Sequence, residues 1–177
     1  MKRDEAVRRA EELVPVVSIM PAEMARLYEL AAMAPAGPSV EVGLYEGRSL
    51  LAWAPARAGR GQVYAVEIAP TELLRGNIAR SGYPIELVVG LSWEVWRQVP
   101  DGLAFCFIDA DHTIDGFPKD LLPWAARIRP GGILAVHDYG AGKGHWVVTP
   151  YLDWWQRFAR WEDLGVTVYV KALRRPA

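Results

Sequence analysis

From Ser39 onward the apolar positions fall into short runs separated by stretches of helical period. The clearest run is Leu103 to Ile108, LAFCFI, which is unbroken and then ends abruptly in Asp109, Asp111 and His112. A short continuous apolar run marks a strand covered on both faces, as in a parallel sheet. Similar runs predict strands at Ser39–Gly43, Gln62–Glu67, Ile85–Val89 and Ile133–Val136. Between them the spacing predicts helices over Arg48–Ala58, Pro70–Ser81 and Trp93–Gln98, and one capped by Asp115 that runs to about Ile128. Pro123 lies inside this last helix and predicts a kink or a break. Pro130-Gly131-Gly132 reads as a turn, and Gly140 to Gly144 as a mobile loop. A helix over Thr149–Arg160 precedes two final strands, one around Arg160 to Leu164 and one from Val166, with Gly165 as the tight turn that makes them antiparallel.

Two helices precede the first strand. Arg3 to Leu13 ends before Pro15, and Pro21 opens a second helix at a position where its missing N–H costs nothing. These helices should cover an edge or mouth of the sheet. Strand and helix then alternate five times, which implies right-handed crossovers and a mainly parallel sheet with helices on both faces. The prediction is an α/β, Rossmann-like fold of seven strands ending in an antiparallel hairpin. It forms a single domain over 1–177, with a helical cover over 1–37 and the core over 38–177.

Composition narrows the function classes. The chain has 177 residues, 51% hydrophobic and 23% charged, with a formal net charge of −1, so no basic field favours nucleic acid or an anionic membrane. No apolar stretch approaches the length of a membrane span, and the charged N-terminus lacks the apolar core of a signal peptide. The single Cys106 lies in the apolar run, which excludes an internal disulfide and fits a reducing cytoplasm. Of eight tryptophans, Trp146, Trp154, Trp155 and Trp161 crowd near the C-terminus, as core packing, a substrate wall or a homodimer contact.

The chemistry gathers at the carboxyl ends of the proposed parallel strands, where open α/β sheets bind ligands. Those ends are Gly43 to Gly47, Glu67, Gly90 to Ser92, Asp109 to His112, and His137 with Asp138; two of the three histidines are among them. A glycine turn lets a ligand approach backbone closely. Glu67 follows that turn by the interval at which an acid commonly holds ribose hydroxyls. Glu41 sits inside a buried strand and must be paired or hydrogen-bonded. A dinucleotide enzyme is disfavoured, because Leu44 and Tyr45 stand where a pyrophosphate contact wants glycine.

Val40 to Ser49, VEVGLYEGRS, resembles motif I of class I S-adenosylmethionine-dependent methyltransferases. Phe107 to Gly140 resembles the group that contains the family 24 methyltransferases, the cephalosporin-hydroxylase-like proteins and the macrocin-type O-methyltransferases. The resemblance implies that Glu41, Gly43 and Gly47 frame the methionine part of the cofactor, with Tyr45 and Ser49 in the same motif. It implies that Glu67 holds the ribose, that Gly90 and Ser92 flank the adenine, and that Asp109 and Asp111 complete the cofactor set. Leu91 stands where many relatives carry an acid, which leaves Ser92 or backbone to meet the adenine amine.

Asp109, His137 and Asp138 form the metal set implied at the ends of the fourth and fifth strands. Hard oxygens suit magnesium, and the imidazole shifts preference towards manganese, iron or zinc. Without a metal, His112 or His137 would serve as general base beside Asp109. The expected activity is methyl transfer to a small-molecule hydroxyl. The alternatives are a non-catalytic nucleoside-binding protein and a metal-centred hydroxylase on the same scaffold. His145 reads as a solvated loop residue.

Overall fold

The computed structural model describes residues 1–142 and 147–177, so His145, Trp146 and the end of the glycine loop lie outside the described residues. The chain opens with α1 (Arg3–Leu13) and α2 (Pro21–Met33). The alternating core follows: β1 (Ser39–Val42), α3 (Arg48–Trp53), β2 (Val63–Glu67), α4 (Glu72–Ser81), β3 (Ile85–Val89), α5 (Ser92–Val95), β4 (Leu103–Ile108), α6 (Phe117–Arg127) and β5 (Ile128–Val136). It closes with α7 (Val148–Ala159), β6 (Glu162–Thr167) and β7 (Val170–Arg174).

The seven strands lie in the order β3-β2-β1-β4-β5-β7-β6. The first five are parallel, and β7 pairs antiparallel with both β5 and β6. The order reverses between β1 and β4, and this switch point is where a crevice opens in such sheets. Register brings the strand ends level: Val42 pairs with both Val66 and Ile108, and Ile108 with Val136. The residues that follow each strand therefore share one rim.

Period-two alternation divides the core into two layers. Phe105 and Phe107 pack on the side of α1, α2 and α3, while Cys106 and Ile108 pack on the side of α5, α6 and α7. Trp53 meets Phe105 edge-on at 5.0 Å between ring centroids. Arg57 is buried at the seam of α2 and β1 and donates to the carbonyls of Ala31, Ala34, Pro35 and Gly37, which holds the N-terminal helices to the sheet. Among the described residues, no helix is long and apolar enough to cross a membrane.

Four local expectations are corrected. Asp115 does not cap α6. The helix starts after Gly116, in a turn where Thr113 Oγ accepts from Gly116 N and Asp111 Oδ1 accepts from Thr113 N. Helix α6 also runs through Pro123 without the break that was the alternative to a kink; the carbonyl left by the missing N–H is that of Lys119, an exposed residue. Pro130 to Gly132 lie within β5, not in a turn before it. Gly165 is not the hairpin turn: β6 continues through it to Thr167, and the chain reverses at Val168 and Tyr169. The positive φ of Gly165 (+87°) serves a register shift between Asp163 and Val166, with Asp163 Oδ1 accepting from Gly165 N at 2.8 Å.

Candidate functional site

The turn after β1 is fixed by sterics. Gly43 has φ +83°, and a Cβ there would lie 2.1 Å from the carbonyl oxygen of Asp109. The next turn residue, Tyr45, holds φ +50°, a conformation that L side chains rarely adopt and that gathers at functional sites. Glu67, at the end of β2, braces the turn: its Oε2 accepts from Leu44 N at 3.0 Å. Gly47 (φ +85°) then leads into α3.

A cleft of about 700 Å³ opens over these strand ends. One end is walled by the glycine turn with Tyr45, the middle by Glu67 and Ile68, and the far end by Gly90 to Trp93. Asp109 to Thr113 form the facing wall. Asp120 of α6 also reaches the far end; it is 1% exposed, accepts from Ser92 Oγ, and accepts from Asp111 N at 3.0 Å. Burial raises the Asp120 carboxyl above its ordinary range.

A second cavity of about 370 Å³ shares Gly43, Leu44, Tyr45, Asp109 and His112 with the first. Ser18 and Ile19, between α1 and α2, close it on one side, and His137 and Asp138 on another. Here the acids and imidazoles converge. His112 Nε2 lies 2.7 Å from Asp138 Oδ2 and 3.5 Å from Asp109 Oδ1. His137 Nδ1 lies 3.4 Å from each of the same two carboxylates. Its Nε2 faces the other way, 3.2 Å from Oε1 of Glu23. Asp138 holds φ +60°, a second strained backbone at the same rim.

The electrostatics follow from this packing. Burial works to raise the Asp109 and Asp138 carboxyls, but the two imidazoles outweigh it and hold both below the usual carboxylate range. Hydrogen bonds to Asp109 and Asp138 push His112 up to about 9. Burial opposes charge on His137, yet Asp109, Asp138 and Glu23 together push it up as well. At neutral pH and with no cation bound, both imidazoles therefore carry the protons that balance the acids. Ligand atoms of Asp109, His137 and Asp138 all lie within 4.8 Å of one another, a donor set that fits one divalent cation in place of those protons.

The sequence-predicted residues divide into those at the cavities and two, Gly47 and Glu41, that line neither. Gly43, Tyr45, Glu67, Gly90, Ser92, Asp109, Asp111 and His112 line the large cleft, and Ser49, His137 and Asp138 line the small one. Asp111 spends one oxygen on its own turn, accepting from Thr113 N at 2.8 Å, whereas His112 joins the charged cluster. Gly47 lines neither cavity and sets the start of α3. Glu41 is fully buried behind the turn and accepts from Ser49 Oγ at 2.5 Å and from Trp53 Nε1.

Two residues of the site carry no sequence signal of their own. Glu23 looks like an ordinary first-turn acid of an amphipathic helix, and Asp120 like a surface position early in α6.

Comparison with known proteins agrees with this architecture. The O-methyltransferase TomG of Streptomyces achromogenes, from tomaymycin synthesis and solved with S-adenosylmethionine, superposes with a TM-score of 0.76 at 18% identity, covering 99% of this chain and 91% of that one. An O-methyltransferase from Bacillus cereus, solved with S-adenosylhomocysteine, gives 0.71 at 17% identity over 97% and 90% of the two chains. The mycinamycin-pathway methyltransferase MycE, solved with Mg and S-adenosylhomocysteine, gives 0.61 at 14% identity, covering 97% of this chain and 55% of that one. A family model described as a methyltransferase domain matches residues 40–139, from β1 to the residue after Asp138. Spanning more than half of the sequence, that match places the chain in the methyltransferase-domain family, among the class I S-adenosylmethionine-dependent methyltransferases.

Proposed function

We propose that the protein transfers a methyl group from S-adenosylmethionine to a hydroxyl of a small molecule, with a divalent cation, magnesium or manganese, held by Asp109, His137 and Asp138. One observation carries this reading: a nucleoside-sized cleft and a smaller acidic cavity meet at Gly43, Leu44, Tyr45 and Asp109. The cofactor supplies a methyl group activated on a sulfonium, and a cation at the acidic cluster lowers the pKa of a bound hydroxyl.

The chain's own residues do the rest. Glu67 presents a fixed carboxylate to ribose hydroxyls, since its position is held by Leu44 N. Gly90 to Ser92 offer backbone and a hydroxyl to the adenine, and because Ser92 Oγ donates its hydrogen to the Asp120 carboxyl, its lone pairs are free to accept from an exocyclic amine. The glycine turn leaves room for the methionine portion. The small cavity orients the acceptor against the cleft, which matters because in-line transfer depends chiefly on positioning.

Between a cation and a histidine base, the electrostatics favour the cation. An imidazole pushed up to about 9, as His112 is, keeps its proton near neutrality and cannot readily take another from a hydroxyl. A cation exchanges for those protons and leaves the acids in use.

Calorimetry with S-adenosylmethionine and S-adenosylhomocysteine tests the cofactor: absence of binding by both in the millimolar range would sink the proposal. Methyl-label transfer over a panel of small hydroxyl acceptors, run with chelator and with added magnesium or manganese, tests the cation. Equal turnover under all three conditions would remove it.

A further inference from the structure

We propose that Glu23, on the N-terminal helix α2, is the positioning residue that aims the Nδ1 of His137 at the Asp109–Asp138 pair. The carboxylate is 1% exposed and held from two distant segments: Oε2 accepts from Met20 N at 2.9 Å and Oε1 from Tyr169 N at 3.1 Å. These two backbone donors, one at the start of α2 and one at the β6–β7 turn, leave it no freedom to swing. The same Oε1 lies 3.2 Å from His137 Nε2. The imidazole is steadied independently, with its backbone N bonded to Ile108 O at 3.0 Å and its ring edge-on to Phe107 at 6.2 Å between centroids.

An imidazole has two nitrogens, and the partner of one decides what the other can do. Glu23 Oε1 lies on the Nε2 side of the ring, 3.2 Å away, and Nδ1 faces the space between Asp109 and Asp138, 3.4 Å from an oxygen of each, where a cation would take the place of its proton. A histidine that ligates a metal almost always gives its other N–H to such a carboxylate. A helix-capping role alone would explain the bond to Met20 N. A link to the β6–β7 turn would explain the bond from Tyr169 N, but neither bond requires Oε1 to lie beside His137 Nε2 as well. Helix α2 is thereby a working part of the site, outside the segment from Asp109 to Asp138 that carries the other polar groups of the cluster.

The inference rests on the proposed cation site, and its test separates the two. Manganese(II) alone is titrated by calorimetry into the full-length chain and into E23A, E23Q, H137A and the E23A/H137A double variant. S-adenosylhomocysteine affinity is measured on each as a check on the neighbouring cleft. E23A should weaken manganese binding about 10- to 100-fold and leave S-adenosylhomocysteine affinity within about twofold. E23Q keeps one acceptor and should lose about threefold or more. In the H137A background the same Glu23→Ala change should add nothing beyond about twofold, because the residue through which it acts is gone. An equal loss in both backgrounds would show a purely structural role and overturn the inference. So would wild-type manganese affinity in E23A, or in E23Q should E23A fail to fold. No manganese binding by the unaltered chain would remove the cation site itself, and this inference with it.

Discussion

The backbone carbonyl of Asp109 sits 2.1 Å from where a Cβ on Gly43 would be. The turn after β1 and the acid after β4 are thus in contact through a residue that has no side chain. A Gly43→Ala variant must either shift Asp109 or open the turn, and its φ of +83° is unfavourable for alanine in any case. The expected outcome is a loss of about 2–4 kcal/mol of stability together with at least about tenfold weaker S-adenosylhomocysteine binding. Chemical denaturation and calorimetry read the two effects, and near-wild-type values for both would refute the argument.

Glu67 faces the large cleft with one oxygen committed to Leu44 N. Glu67→Ala removes a ligand-facing carboxylate and a brace on the turn but leaves the apolar layers intact. It should raise the dissociation constant for S-adenosylmethionine about 10- to 100-fold, the equivalent of about 1.4–2.8 kcal/mol. The melting temperature should move by only a few degrees. Cofactor affinity unchanged from wild type would remove Glu67 from the ribose site.

Much of this was legible in the residues, and the reasons for the exceptions are physical. The run Leu103–Ile108 is apolar because both faces of β4 are covered, and the abrupt acids mark the point where cover ends. Asp109 could therefore be placed from local pattern alone. Glu23 could not, because the donor to its Oε1 is Tyr169 N, 146 residues away. Asp120 was hidden in the same way, since an acid early in a helix reads as solvated until Ser92 and Asp111 N are brought to it. Gly165 misled because a positive φ serves a bulge as well as a turn. Pro123 does not break α6, since proline's missing N–H removes one hydrogen bond, to the carbonyl of the exposed Lys119.

Asp120 gives a prediction at the end of the cleft proposed for the adenine. Asp120→Ala leaves Ser92 Oγ and Asp111 N without their acceptor in a buried corner. Unmet buried donors cost about 1–3 kcal/mol each at most, so a stability loss in that range is expected. Cofactor affinity should fall with it, because Ser92 and the chain at Asp111 both line the cleft. Asp120→Asn, which keeps one acceptor, should fall between the two proteins in both measurements. An alanine variant with unaltered cofactor affinity would show that this corner only supports the fold.

Glu41 gives a pH dependence whose sign can be worked out. Burial raises its carboxyl to about 8 from an ordinary value of 4.5, against the opposing effect of the Ser49 and Trp53 donors. The folded chain therefore binds this proton more tightly than the unfolded chain does. The stabilisation that follows is complete below the unfolded value and is lost as pH rises through the folded one. Within the window from about 5 to 8, the melting temperature should fall as pH rises. Glu41→Gln keeps the shape and one acceptor for Trp53 Nε1 but never ionises. It should flatten that slope and exceed the wild-type stability at pH 8 by an amount on the order of a few kcal/mol. Thermal melts of both proteins across this range make the comparison; a difference between them that does not grow with pH would show that Glu41 is ionised in the folded chain throughout.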